Sequence, residues 1–286
     1  MPARTRRKLL RHGIAAAVGT ALALGICGVN AATEKPSSTM TAAAVMAGVD
    51  KRYEGDTRRQ QGTMTLVDKD NSKRVRRFAE LAKKYGDDEK AISHVTFPPE
   101  VSGTGFLSYE WDDRKREDES WLYLPQLRKV KRLASTDKSG YFLGSDFTYS
   151  DLVGLEVEDF DYSFADDAGR PGEEGLSVIM AVPKQALLDR VADETGYVKV
   201  KYWVDKEKLI IVKAQYWLKE GHRIKYYTAS NIEKVSDIWT VRRMQMVMTQ
   251  GGQRLHASVF ELAKIEYNVP IDDQEFTTYA LERPVE

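Results

Sequence analysis

From the middle of the chain to its end, short blocks of alternating apolar and polar positions are separated by runs of turn formers. Tyr197–Asp205, Leu209–Lys219, Ile224–Ser230, Ile238–Thr249 and Arg254–Tyr267 all read as strands, because a period of two puts successive side chains on opposite faces of a pleated segment. Val198, Val200, Tyr202 and Val204 share one face, and Ile210, Val212, Ala214, Tyr216 and Leu218 share another. Arg242, Met244, Met246 and Met248 follow the same rule. Asp205-Lys206-Glu207-Lys208, Glu220-Gly221-His222 and Gln250-Gly251-Gly252 supply tight turns between them.

The first half carries the same pattern less regularly. Thr63–Val67 and Lys73–Leu81 form a hairpin, Ala91–Phe97 stops at Pro98-Pro99, and Phe106–Trp111 follows Gly103-Thr104-Gly105. Trp121–Leu124 is a strand ended by Pro125, which cannot donate to a ladder. Arg128 to Leu133 is its return, and Leu176–Val182 is a further strand after the loop Ala165–Gly175. Helices are few: Thr41–Tyr53, a turn at Asp151–Leu155, one or two turns from Pro183, and a short helix or edge segment within Asp272–Arg283. About ten strands in meander order would span about 45 Å if flat, and open sheets of that size curl. The expected fold is α+β: one large curved antiparallel sheet, a half-barrel, with a few helices covering its concave face.

Ser139–Tyr149 fits neither period. It holds two glycines and four aromatics, and aromatics in a loop need an apolar surface to lie on. The segment is expected to act as a flap across the hollow of the sheet, with Phe142 and Phe147 facing inward. Asp146 and Asp151 are candidates for pinning it to the neighbouring basic run, Arg128–Arg132.

The N-terminus reads as an address. Arg4, Arg6, Arg7, Lys8 and Arg11 precede an Ala/Gly-rich apolar run from Ile14 to Val29, and Val29-Asn30-Ala31 fits a small-residue cleavage site. Residues 1–31 are therefore expected to be a signal peptide and 32–286 a single domain exported to the periplasm. Ile26 before the lone Cys27 argues against lipidation there. Removing five basic residues from 43 leaves 38 against 43 acidic ones, a mildly acidic balance that excludes a nucleic-acid partner. A mature chain without cysteine has no disulfide and no thiolate chemistry.

The motifs Gly103-Thr104-Gly105-Phe106-Leu107, Trp121-Leu122-Tyr123-Leu124-Pro125, Arg132, Gly144-Ser145-Asp146-Phe147-Thr148-Tyr149 and Asp151-Leu152 resemble those of the bacterial outer-membrane lipoprotein-sorting, LolA-like family, in its larger periplasmic subfamily. The resemblance runs from about Val49 to Glu282. It implies a curved sheet cupping helices around an apolar cavity that receives acyl chains, and an association with inner-membrane RND-type exporters. Where the family commonly carries an acid, this chain has Ser150.

The chemistry left to assign is mostly apolar. Met244, Met246 and Met248, with Ile210, Val212, Tyr216, Phe142 and Phe147, are the candidate lipid-binding set, since methionine adapts to varied apolar partners; the same methionines could equally fill a sealed core. Trp121, Tyr123, Arg132, Gly144, Asp146, Tyr149 and Asp151 make up the flap and motif set. His94, His222 and His256 form no metal-spaced pair, and no nucleophile or phosphate-binding motif is present. No metal, cofactor or catalytic residue is expected, and a monomer is. The reading is a periplasmic carrier of lipid or lipoprotein acyl chains; an accessory subunit of an exporter, and a lipid-ester hydrolase using Ser139 or Ser145, are the alternatives.

Overall fold

The computed structural model describes residues 40–113, 115–166 and 169–283; the proposed leader lies outside them. The chain enters on α1 (Ala42–Asp50), whose first turn is capped by Thr41, its Oγ1 accepting from the Ala44 amide at 3.2 Å. The helix ends sooner than its alanine-rich sequence predicts. Strands β1 (Thr57–Val67), β2 (Lys73–Tyr85), β3 (Asp88–Phe97), β4 (Gly105–Glu110), β5 (Glu119–Leu124) and β6 (Lys129–Leu133) follow in meander order. A long connection then carries 3-10 turns at Ser135–Ser139 and Phe142–Gly144 and the short helix α2 (Tyr149–Val153). After it come β7 (Phe160–Phe164), β8 (Leu176–Pro183), helix α3 (Leu188–Thr195), β9 (Tyr197–Asp205), β10 (Ile210–Leu218), β11 (Arg223–Val235), β12 (Ile238–Gln250) and β13 (Gln253–Tyr267).

All thirteen strands join one antiparallel sheet in the order β6-β5-β4-β3-β2-β1-β13-β12-β11-β10-β9-β8-β7. The one departure from meander order is the pairing of β1 with β13, which brings the two ends of the strand run together at the centre. That pairing has a topological consequence. β6 and β7 are neighbours in sequence yet lie at opposite edges of the sheet, so the connection from 134 to 159 must travel from one edge to the other. It crosses the hollow of the curled sheet, which is why a flap exists.

The inner face carries two packed clusters. Val45 and Met46 of α1 and Val191 of α3 pack on Ile179, Val200, Tyr202 and Ala214 of strands β8 to β10. Phe142, Phe147 and Tyr149 of the connection pack on Met64, Phe78, Val95, Phe106 and Met246. The outer face of β3 to β6 is not left to solvent. The C-terminal segment, irregular apart from 3-10 turns at Asp273–Glu275 and Ala280–Glu282, folds back over it, so that Ile271, Phe276, Ala280 and Leu281 bury against Ile92, Leu107, Trp121 and Tyr123. Gly105 is where the two approach: a Cβ there would sit 2.7 Å from Leu281 Cδ2, and His94 Nε2 meets the Leu281 carbonyl at 3.3 Å.

The described residues form thirteen strands where about ten were expected; β5 and β6 fall where the sequence places a strand and its return, and the strand not read in advance is the five-residue β7. One predicted row is broken. β10 bulges between Ile211 and Lys213, so that Ile211, not Val212, sits opposite Val204; the extra residue throws Val212 out of the inner row. Trp203 and Trp217 pack in none of the buried clusters. Each instead lies under a lysine, Lys201 Nζ being 5.0 Å from the Trp203 ring and Lys199 Nζ 4.1 Å from that of Trp217.

Candidate functional site: a covered cavity on the inner face

The flap is shaped by its own backbone. Leu143 at φ 50° and Gly144 at φ 72° reverse the chain, the Phe142 amide donates to the Phe147 carbonyl at 2.7 Å, and Tyr141 bridges Thr148. Phe142 and Phe147 therefore both turn to the sheet. The Phe142 ring lies 5.8 Å from Phe78, 6.1 Å from Phe106 and 5.7 Å from Tyr149, offset and edge contacts each worth about 0.5–1.5 kcal/mol beyond burial. Ser145 Oγ donates to the Phe147 carbonyl and Ser139 Oγ to that of Thr136, so both serines secure turns and neither contacts a base.

Two buried carboxylates tie the flap to distant strands. Asp146 Oδ2 accepts from Ser258 Oγ at 2.7 Å, its Oδ1 meets His256 Nδ1, and its amide donates to Ser258 Oγ. Asp151 closes a capping box with Thr148 at the start of α2 and accepts from Tyr197 Oη at 2.6 Å and Lys225 Nζ at 3.0 Å. Lys225, wholly buried, also donates to Tyr197 Oη at 2.7 Å. Cross-strand register aligns these groups: Tyr216 faces Lys225, Lys225 faces Met248, and Met248 faces His256.

This corrects the expected pairing with the basic run. Arg132 bonds Glu119 at 3.1 Å and Lys131 bonds Asp137 at 3.1 Å, while the carboxylates of the flap find partners far away in sequence on β9, β11 and β13. Burial raises the Asp146 pKa above the usual carboxylate value, against the lowering effect of Ser258 and His256. Burial, then Asp151, raises the Tyr197 phenol well above its ordinary value. Ser258, Asp146 and His256 do not form a charge relay. The serine donates to the carboxylate rather than to the imidazole, so nothing activates it as a nucleophile.

Beside the flap lies a cavity of about 430 Å³. Met64, Phe78, Phe106, Phe142, Phe147, Met244, Phe260 and Leu262 line its apolar part, with Val49 from α1 and Leu152 from α2 at its side. Its other end is polar, lined by Arg52, Glu54, Arg58, Gln60, Glu80, Glu89 and Glu110. Exposure separates the ends: Met64 is 2 % and Phe142 4 % exposed, whereas the side chains of Glu80 and Glu54 are 27 % and 42 % exposed. Arg58 bridges Glu89 at 3.3 Å, Glu54 at 3.5 Å and Glu80 at 3.6 Å. Burial alone would lower the Arg58 pKa, but Glu80, Glu54 and Glu89 outweigh it and raise the value.

Of the residues singled out from sequence, Met244, Ile210, Phe142, Phe147 and Asp151 reach the cavity. Met246 and Met248, each 1 % exposed, are absent from its lining, as are Val212 and Tyr216; Tyr216 packs on Tyr197, ring centroids 4.7 Å apart. Trp121 and Tyr123 lie under the C-terminal segment, not the flap. Tyr149 packs with Phe142, and Gly144 forms the flap's turn. The charged end was missed, although a signal was present: Glu80 stands between Phe78 and Ala82 on one strand parity, a charge in an apolar row.

The open, curved antiparallel sheet is the fold of solved lipoprotein-sorting and LolA superfamily structures. A family model described as "-like: Uncharacterized protein" matches residues 87–283, and the chain belongs to that family. Among solved structures, the fold is similar to a domain from Vibrio parahaemolyticus assigned as an outer membrane lipoprotein-sorting protein, at 25% identity over 85% of this chain and 98% of that one, with a TM-score of 0.73. It is similar to a DUF1329 family protein from Desulfovibrio piger at 24% identity, covering 84% and 97%, TM-score 0.73. A LolA superfamily protein from Nitrosomonas europaea shares the fold at 17% identity, covering 84% and 99%, TM-score 0.63. No curated protein matches the chain. These likenesses bear out the resemblance read from the motifs and the half-barrel it implied.

Proposed function

We propose that this protein is a binding protein rather than an enzyme: a periplasmic carrier that shelters acyl chains of a lipid or lipoprotein in the inner cavity between two membranes. The observation that carries this reading is the apolar cavity roofed by Phe142 and Phe147 on a segment that crosses the open sheet. A long acyl chain in water costs about 0.8 kcal/mol per CH₂, so a carrier must offer a dry recess, and a few hundred Å³ of apolar lining is the scale of small-ligand sites. The basic leader supports export, and the structural relative assigned to lipoprotein sorting supports the cargo class. Protein purified without detergent and extracted into organic solvent is expected to yield a lipid by mass spectrometry, and stripped protein to take up a fluorescent fatty acid. The absence of both a co-purifying lipid and fatty-acid uptake would overturn the reading.

A further inference from the structure

The polar end of the cavity is chemically one-sided. Four glutamates, Glu54, Glu80, Glu89 and Glu110, face two arginines there, and both arginines are already engaged. Arg58 is shared among Glu54, Glu80 and Glu89. Arg52 pairs with Glu54 and donates to the Trp239 carbonyl at 2.9 Å. Neither offers spare charge to a carboxylate or phosphate. Glu110 is the opposite case: among the described residues its carboxyl has no hydrogen bond or ion pair. It stands directly across from Glu89 on the neighbouring strand, so a like charge faces it across the ladder. No three acidic or imidazole groups among the described residues are placed to hold one metal ion.

The route to Glu110 is built into β4. Phe106, Ser108 and Glu110 share the inner face of that strand and all line the cavity. At ~3.3 Å per residue the carboxyl lies about 13 Å along the strand from the aromatic floor. Ala91 and Ser93, small residues on β3, leave the space between them open. One cavity thus has a dry stretch for a chain and, beyond it, a carboxyl without a partner.

We propose, building on the carrier reading, that the cavity selects amphiphiles with a positively charged amine headgroup, and that Glu110 receives the ammonium. An ammonium supplies the donors and the charge that Glu110 lacks, whereas an anionic headgroup would meet four carboxylates with both arginines occupied. Burial, then Glu89 and Asp118, raises the Glu110 carboxyl well above its usual value, with Arg58 and Lys138 pulling the other way without cancelling the rise. A bound cation reverses that shift, so binding releases a proton and strengthens as pH rises through the Glu110 titration.

The test compares three ligands of one chain length, dodecylammonium, dodecanol and dodecanoate, each displacing an uncharged fluorescent probe from stripped full-length protein. The alcohol is the reference within each variant. Wild type is expected to favour the ammonium over the alcohol on the order of tenfold and to rank the carboxylate last. In Glu110→Gln the ratio of ammonium to alcohol is expected to fall to about one, with Glu110→Asp retaining part of it. A wild-type ratio of one, or an undiminished ratio in Glu110→Gln, overturns the headgroup assignment and leaves the carrier reading standing. Failure of all three ligands and the probe to bind overturns the carrier reading instead. Removing an unpartnered carboxyl should not lower the melting temperature, so a Gln variant that fails to fold would itself show that Glu110 has a structural partner and is not free for a ligand.

Discussion

Lys225 on β11, with no surface exposed to water, donates to Asp151 Oδ2 of α2 at 3.0 Å. This is the polar bolt that fastens the start of α2, and with it the end of the flap, to the middle of the sheet. A buried pair adds little over an apolar pair of the same shape, but breaking it leaves an uncompensated charge, at a cost of about 3–5 kcal/mol. Lys225→Met is therefore expected to lose stability in that range in urea denaturation. Adding Asp151→Asn should recover part of the loss, because an amide needs no counter-charge: its oxygen can still accept from the Thr148 amide while its NH2 donates to Tyr197 Oη, which no longer accepts from Lys225. A double variant no more stable than Lys225→Met would mean that the two side chains are not energetically coupled.

The methionine row splits where the sequence treats it as one unit. Met246 is 1 % exposed in the cluster beneath the flap, while Met244 reaches the cavity. Met246→Trp is overpacking and should cost ~1–3 kcal/mol. Met244→Trp has open space to enter, so its melting temperature should hold while uptake of a fluorescent fatty acid falls. Equal destabilisation by both would place Met244 in sealed core.

What could be read in advance follows from the range of each signal. Strand alternation and turn residues are local, and they located the long strands β9 to β13, the hairpin of β1 and β2, and the flap as an aromatic loop. The bulge at Val212 is local too, but it leaves no mark in composition, so a clean alternating row was expected where the backbone slips. The partners of Asp146 and Asp151 were out of reach. Ser258 and Lys225 lie 112 and 74 positions away, and only the pairing of β1 with β13 and the curl of the sheet bring them under the flap. The nearby Arg128–Arg132 run was the wrong guess because nearness in sequence stood in for nearness in space. The cavity's charged end left one mark, Glu80 between Phe78 and Ala82, but a single charge in a strand looks like a solvated position until α1 and the flap roof the same face.

Gly105 tests the outer cover. Its missing side chain lets Leu281, 0 % exposed, press against β4. Gly105→Ala puts a methyl group into that contact and is expected to cost ~1–3 kcal/mol, because His94, 3.1 Å from the same point, blocks sideways relief. Amide exchange should quicken in residues 271–283 before it does in β11 or β12. Unchanged exchange there would mean that the C-terminal segment does not depend on this contact.

Asp146 gives the pH dependence a definite sign. Burial raises its folded pKa above the unfolded value near 3.8, with Ser258, His256 and Lys225 pulling the other way without cancelling it. The folded state therefore prefers the protonated acid. Its contribution is fully present below the unfolded pKa and is lost as pH rises through the folded one. Other buried acids share this direction, Glu80 among them, so the comparison must be between wild type and Asp146→Asn. The amide keeps an acceptor for Ser258 Oγ and has no charge to bury. Urea midpoints taken from pH 4 upward should show the wild type losing stability relative to Asp146→Asn as pH rises, then running parallel to it once Asp146 has ionised. A gap that changes in the opposite direction would mean that His256 holds Asp146 ionised in the fold, so that the flap is tied to β13 by an ion pair rather than by a protonated acid and its serine.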